Sequence, residues 1–318
     1  MFAYRHAFHA GNHADVIKHA VLLDCLSRLQ SKPGALTLID THGGAGAYST
    51  DSGLTRNKAE YKTGLGRLWG MRLDKMPEMI ANYIRVLRGL HGESTTLSTM
   101  AGSPLLMAQQ MRPQDHLTAF EMHPTDAPLL KQNLARFGRR VQLRVSDGFA
   151  GLRGLLPPVS RRGLVLMDPS YEIRTDYGEA LTNLREATSR FSTGCYVLWV
   201  PIVARLEVER LVRQALALPV EERLHLRFQV RRAGADGLGL MGSHLIVLNP
   251  PFGLQAACEE VMPWLVTQLG QDESAGCEIR LQEKKGGPKP PSLNNHQRVS
   301  RVDASRPLRG SSRDPSRG

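Results

Sequence analysis

Seven short apolar runs, separated by segments of helical periodicity, constrain this chain more than any other feature. They are Leu36–Asp40, His116–Glu121, Val141–Val145, Gly163–Asp168, Gly194–Val200, Leu224–Val230 and His244–Asn249. Several are almost continuously apolar, as expected of strands buried on both faces of a parallel sheet. Strands alternating with helical patterns predict an α/β fold. The last two runs are joined by GADGLGLMGS, too short for a helical crossover. They are predicted to form an antiparallel pair closing the sheet edge.

Before the first strand, Val16, Ala20, Leu23 and Leu26 recur at helical spacing, predicting an amphipathic helix over 14–30. About seventy-five residues separate the first two strands, far more than one crossover needs. Met76, Ile80, Tyr83, Ile84 and Leu87 mark one helix there, and Leu65, Leu68 and Trp69 suggest another. A small helical subdomain inserted over 49–100, within a main domain of 1–48 and 101–283, accounts for the excess.

Composition narrows the class. A hydrophobic fraction of 41% sustains a core and excludes wholesale disorder. No run approaches the length of a membrane span, and the polar, His-rich start does not read as a signal peptide. Cys25, Cys195, Cys258 and Cys277 are scattered without a C-x-x-C pair, so reduced thiols in the cytoplasm are expected. Lys and Arg number 41 against 30 acids, a net +11 that favours an anionic partner, nucleic acid first. From Lys284 onward there are nine cations against Asp303 and Asp314, or +7, leaving +4 on residues 1–283. That Pro-, Gly- and Ser-rich tail, 284–318, is expected to be disordered.

Four strand ends carry chemistry. The first runs into DTHGGAGAY, where Gly43, Gly44 and Gly46 would let backbone approach a ligand. The second ends at Glu121, an acid suited to two ribose hydroxyls. The third ends at Ser146-Asp147-Gly148, where a carboxylate could take an adenine amino proton. The fourth ends LVLMDPSYE: Asp168 and a backbone carbonyl before Tyr171 offer paired acceptors beside a flat ring, which suits an exocyclic amine on a planar base. Each alone also reads as an ordinary turn or a solvated acid. Their convergence at the carboxyl ends of parallel strands, where open α/β sheets bind ligands, carries the inference. His6, His9, His13 and His19 lack metal-ligand spacing, so no metal is expected.

The D-P-S-Y tetrapeptide resembles the catalytic motif of S-adenosylmethionine-dependent methyltransferases acting on adenine N6. With YRHAFHAGNHADVIKH, DTHGGAGAY, AGSPLL, EMHPTDAPLL, SDGF, LWVPIV and LNPPF, the chain resembles the bacterial 23S rRNA (adenine-2030-N6)-methyltransferase family over about residues 1–270. The resemblance implies a Rossmann-like class I methyltransferase fold with an inserted helical subdomain, working as a cytoplasmic monomer on 23S ribosomal RNA without metal or membrane. It assigns cofactor contacts to Lys18, His19, His42, Ser103, Glu121, Asp147 and Gly148. Asp168 becomes the catalytic residue with Pro169 and Tyr171 beside it, and Tyr4 and His6 become substrate-side or lid residues. Two positions depart from the pattern, Ser170 where Pro is usual and Val200 where Tyr is expected. A DNA adenine methyltransferase and a non-catalytic RNA-binding protein are the alternatives. Arg139, Arg140, Arg161 and Arg162 are candidates for phosphate contacts.

Overall fold

The computed structural model describes residues 5–91, 96–234 and 239–284. Tyr4 and the tail from Lys285 lie outside the described residues, so the substrate-side role and the disorder expected there concern residues beyond them. The strands are β1 Thr37–Asp40, β2 Ala47–Ser49, β3 Thr99–Ala101, β4 His116–Phe120, β5 Val141–Arg144, β6 Gly163–Met167, β7 Cys195–Ile202, β8 Glu222–Gln229, β9 Gly242–Leu248 and β10 Gly276–Glu283. The helices are α1 His13–Gln30, α2 Gly53–Lys58, α3 Leu65–Trp69, α4 Glu78–His91, α5 Ser103–Gln110, α6 Asp126–Leu134, α7 Gly148–Leu152, α8 Thr175–Arg190, α9 Leu206–Leu216 and α10 Leu254–Leu269. No helix among the described residues is long and apolar enough to cross a membrane.

Eight strands form one sheet in the order β10-β8-β9-β7-β6-β1-β4-β5. β5, β4, β1, β6 and β7 run parallel, and β9, β8 and β10 pair antiparallel. Strand side chains alternate between two cores, as the pleat requires. Leu38, Leu164, Val197 and Val247 join α1, α4, α5 and α10 on one face. Ile39, Val165, Leu198 and Ile246 join α7, α8 and α9 on the other. Cys25, Cys195 and Cys258 are free thiols inside this core. The chain reverses its winding direction between β1 and β6, which opens a crevice at their carboxyl ends.

Two expectations are corrected. First, β8 and β9 do pair antiparallel, but β10 occupies the edge beyond them. Its sequence, GCEIRLQE, is charged and largely exposed, so it lacks the apolar run that betrays an inner strand. Second, α1 is not amphipathic in the usual sense. His13, Asp15, Lys18 and His19 are almost as buried as Val16, Ile17 and Leu22, because α4, α5 and α10 pack on α1 as well as the sheet. The glycine turn after β1 enters β2. β2 pairs with β3, Ser49 opposite Thr99, so the segment 50–98 leaves and returns through one short ladder. Its α4 packs on α1 within the same hydrophobic cluster.

Candidate active site

α1 begins where Asn12 caps it, the side-chain oxygen accepting from the N–H groups of Ala14 and Asp15 at 2.9 and 3.1 Å. The next turn places Asp15, Lys18 and His19 at i, i+3 and i+4, on one face. That face points inward. Asp15 accepts from the Gly11 N–H at 2.9 Å, lies 3.0 Å from His6 Nε2 and pairs with Lys18 Nζ at 2.8 Å. Burial alone would raise its carboxyl, but His6, Lys18 and His19 hold it well below the usual carboxylate range. Lys18 Nζ also donates to Asp168 Oδ2 at 2.5 Å. Burial opposes its charge, yet the two carboxylates outweigh that and keep it protonated, above the ordinary lysine value. Burial pushes His19 down to about 3, so it stays a neutral imidazole.

Asp168 ends β6, a strand buried on both faces. Its Oδ2 is taken by Lys18, and the residue lines the open space in front of the strand end. Three residues on, Tyr171 sits at φ 52°, a left-handed conformation uncommon outside glycine. The loop is held there by its neighbours: the Tyr171 hydroxyl donates to the Trp199 carbonyl at 2.8 Å, and Arg205 donates to the Tyr171 carbonyl at 3.0 Å. The Tyr171 ring packs against Tyr177 at 4.6 Å and Trp199 at 6.0 Å between centroids. Backbone strain maintained by surrounding contacts is a feature of functional loops. Ser170, the departure from the usual Pro, lines the space in front of Asp168.

The neighbouring strand ends complete the site. Glu121, after β4, accepts from the Gly44 N–H at 2.7 Å and the His123 N–H at 2.6 Å, which ties the glycine turn to the strand end. Burial nonetheless leaves its carboxyl above the ordinary value. Asp147 caps α7 through one oxygen, Oδ1, accepting from the N–H groups of Phe149 and Ala150. Gly148 is demanded by packing: a Cβ there would lie 1.9 Å from the Thr41 carbonyl oxygen. Asp40 is fully buried, and burial pushes it up to about 6 against hydrogen bonds from the Ser103 hydroxyl and the His42 N–H. Among the described residues its Oδ2 has no hydrogen-bond partner. His42 hydrogen-bonds Thr41, meets Phe149 edge-on and is pushed down to about 4 by burial.

Two cavities meet at these residues. The larger, about 410 Å³, is lined by His19, His42, Gly43, Gly44, Ser103, Glu121, Asp147 and Pro169. The smaller, about 260 Å³, is lined by Asn12, Tyr171, Tyr177, Trp199 and Arg205. His6, Lys18, Asp168 and Ser170 face both. The larger has seven carboxylates on its wall (Glu121, Asp126, Asp147, Asp168, Glu172, Asp176 and Glu179) against one Lys or Arg, Lys18. Such a wall repels phosphates and suits a cationic ligand.

The matched sequence features are equally specific. A family model described as "Ribosomal RNA large subunit methyltransferase D, RlmJ" matches residues 33–280. The chain belongs to the RlmJ family. "Ribosomal RNA large subunit methyltransferase J" from Haemophilus influenzae is 38% identical over 269 residues, covering 85% of this chain and 94% of that one. The protein of the same name from Escherichia coli is 39% identical with the same coverage. A solved structure of a Legionella pneumophila protein is 31% identical, covers 87% of this chain and 99% of that one, and superposes with a TM-score of 0.78.

In this RlmJ-family fold, the sequence-derived residues Lys18, His19, His42, Ser103, Glu121, Asp147, Asp168 and Pro169 all reach the larger cavity, while His6 reaches both and Tyr171 the smaller. Gly148 lines neither, and it packs closely against the Thr41 backbone. Lys18 is committed to two carboxylates. Val200 is buried among α9 and strand side chains on the opposite sheet face, a packing position. Sequence reasoning missed Asp15, Asn12 and Trp199. The i, i+3, i+4 spacing of Asp15, Lys18 and His19 was the available signal for the first. Arg139 and Arg140 precede β5, and Arg161 and Arg162 precede β6, so all four sit at the sheet edge opposite the site. There Arg162 is engaged by the carbonyls of Leu29 and Gly34.

Proposed function

We propose that this chain transfers a methyl group from S-adenosylmethionine to N6 of an adenine in 23S ribosomal RNA, the position numbered 2030 in the family it resembles, working as a cytoplasmic monomer. The observation that carries the reading is the junction of two cavities at Asp168, one acidic and one aromatic. The acidic wall and the unpartnered Asp40 Oδ2 behind it fit a cofactor bearing a sulfonium and an ammonium. Glu121, Asp147, His42, His19 and Ser103 would hold it. When bound, it supplies an electrophilic methyl group.

The chain's own residues then act on the acceptor. Tyr171, Tyr177 and Trp199 exclude water and clasp a planar base. An aromatic amine is a poor nucleophile because its lone pair is delocalised into the ring. Asp168 Oδ1 and the Pro169 carbonyl accept its two N–H groups, which favours a pyramidal nitrogen and stabilises the positive charge growing there. Asp168 Oδ1 holds the amine proton through the transfer and is placed to receive it afterwards. Lys18, fixed by Asp15, holds the Asp168 carboxylate in place. Alignment of the two cavities supplies proximity.

The test is methyl incorporation into transcribed 23S rRNA and into duplex DNA, followed by mass mapping of the modified adenine. Methylation of one rRNA adenine is expected. Equal or preferential methylation of DNA overturns the substrate assignment, and no transfer to either overturns the enzyme assignment.

Asp40 makes cofactor affinity pH-dependent. Its folded pKa, about 6, lies above the ordinary carboxyl value, so the neutral form is favoured in the folded state. Stability from this group is therefore greatest at low pH and is lost as pH rises toward 6. A bound cation reverses that preference. Affinity for S-adenosylmethionine should fall as pH drops below 6 and level off above 7, by up to about tenfold per unit. His42 and His19 are neutral across this window, but Glu121 shares the cavity and its carboxyl is also raised. Asp40→Asn should therefore flatten most of the profile in calorimetric titrations; an unchanged profile removes Asp40 as its source.

A further inference from the structure

We infer that the exposed face of residues 53–62 in the insertion receives the phosphates of the RNA strand flanking the target adenine. The inference rests on the proposed RNA substrate and adds where that substrate docks. Residues 53–72 carry five cations, Arg56, Lys58, Lys62, Arg67 and Arg72, against one carboxylate, Glu60. That net +4 equals the net charge of residues 1–283, so the remainder of the body sums to zero.

Not all five are available. Arg67 donates to the carbonyls of Gln268 and Gly270, closing α10, and Arg72 is paired with Asp74 at 2.9 Å. Arg56, Lys58 and Lys62 are exposed, and none has an ion-pair partner within 4.0 Å among the described residues. Glu60, the one carboxylate of the stretch, is held by other partners, its Oε2 lying 3.0 Å from His9 Nδ1 and accepting from Asn12 Nδ2 at 2.9 Å, and of the three cations Lys58 acts on it electrostatically. Lys58 Nζ lies 5.8 Å from the centre of the Phe8 ring.

The location selects the partner. The Thr55 hydroxyl donates to the Ala7 carbonyl, and Leu65 N–H donates to the Gly11 carbonyl, so this segment packs directly behind residues 6–12. His6, His9 and Asn12 of that stretch line the aromatic cavity. A base entering the cavity must leave its own stack and brings a phosphate on either side, and backbone contacts offset the unstacking. Another basic stretch, Lys131 to Arg144, has five cations and no acid, but it leads into β5 from the opposite sheet edge. Charge alone does not separate the two stretches; proximity to the acceptor cavity does.

The experiment compares the full chain with the triple variant Arg56→Glu, Lys58→Glu, Lys62→Glu, and with a matched triple at the far edge, Arg136→Glu, Arg139→Glu, Arg161→Glu. Methyl transfer to transcribed 23S rRNA is measured over a range of salt, with calorimetric S-adenosylmethionine binding and thermal melting on each protein. The first triple should raise KM for RNA at least tenfold near physiological salt, reduce the salt slope of binding by about 2, and leave kcat within twofold and cofactor affinity unchanged. The far-edge triple should leave KM within twofold. An unchanged KM and slope in the first triple, or equal losses in both, overturns the docking face while the proposed reaction stands. Wild-type protein that methylates no RNA overturns the reaction itself and this inference with it.

Discussion

Asp168→Ala is expected to lower methyl transfer by roughly 10²–10³-fold or more while leaving S-adenosylmethionine affinity within a few fold. The magnitude is that of removing one preorganised charge-stabilising group. The fold should tolerate the change. Asp15, Lys18 and Asp168 form a buried group with two negative charges and one positive, so removing Asp168 leaves a neutral, still-bonded Asp15–Lys18 pair. Breaking a buried pair is costly when it strands a charge, and here none is stranded. Asp168→Asn should lose nearly as much activity. One Asp168 oxygen serves Lys18 and the other is needed by the substrate amine, whereas Asn offers a single acceptor and turns its amide N–H groups toward Lys18 or the amine. The measurement is single-turnover methyl transfer to RNA beside calorimetric cofactor binding and a thermal melt. Undiminished transfer in Asp168→Ala sinks the catalytic assignment.

Gly148→Ala has the second largest expected effect, and it acts through packing. The added methyl would meet the Thr41 carbonyl oxygen at 1.9 Å and the Thr41 Cα at 2.8 Å, both backbone atoms that cannot rotate away. Either α7 moves off the β1 turn or the turn moves off β6, where the Thr41 N–H and hydroxyl are held by the Leu166 carbonyl. Overpacking of this kind costs about 3 kcal/mol or more, a fall in melting temperature of roughly 6–12 °C for a domain of this size. Because Asp147 and His42 flank the displaced atoms, cofactor affinity should fall with stability. A variant that melts like the wild type and binds normally would show that the approach of the two loops relaxes freely, and the packing argument for Gly148 would fail. Gly53, by contrast, has open space where a Cβ would be, and Gly53→Ala should be silent in both assays.

These effects show which parts of the molecule were legible before the fold. Strand positions were, because a strand buried on both faces must be apolar throughout, and Gly163–Met167 is an uninterrupted example. β10 was not, because an edge strand needs only one apolar row and may charge the rest. The strand-end residues Glu121, Asp147 and Asp168 were legible as a set, since parallel strands deliver their carboxyl ends to one edge. Asp15 was not singled out. Its spacing to Lys18 and His19 is written in the chain, but a polar stripe on a helix ordinarily faces water. Gly148 was assigned to the cofactor by the family resemblance alone; its close packing on Thr41 depends on a partner more than a hundred residues away and could not be read locally.

From the sequence by itself came the α/β class, the strand order along the chain, the acids at the strand ends and the family resemblance. All of these depend on local periodicity or short motifs, which one segment contains whole. Only the tertiary structure decided that the polar face of α1 turns inward to bind Asp168, that two cavities of opposite character share that carboxylate, and that one basic stretch lies beside the acceptor cavity while another lies across the sheet. The physical reason is the same in each case. A segment's spacing says which side chains share a face, but the direction of that face is set by what covers its other side, and here the covering helices α4, α5 and α10 are separate parts of the chain.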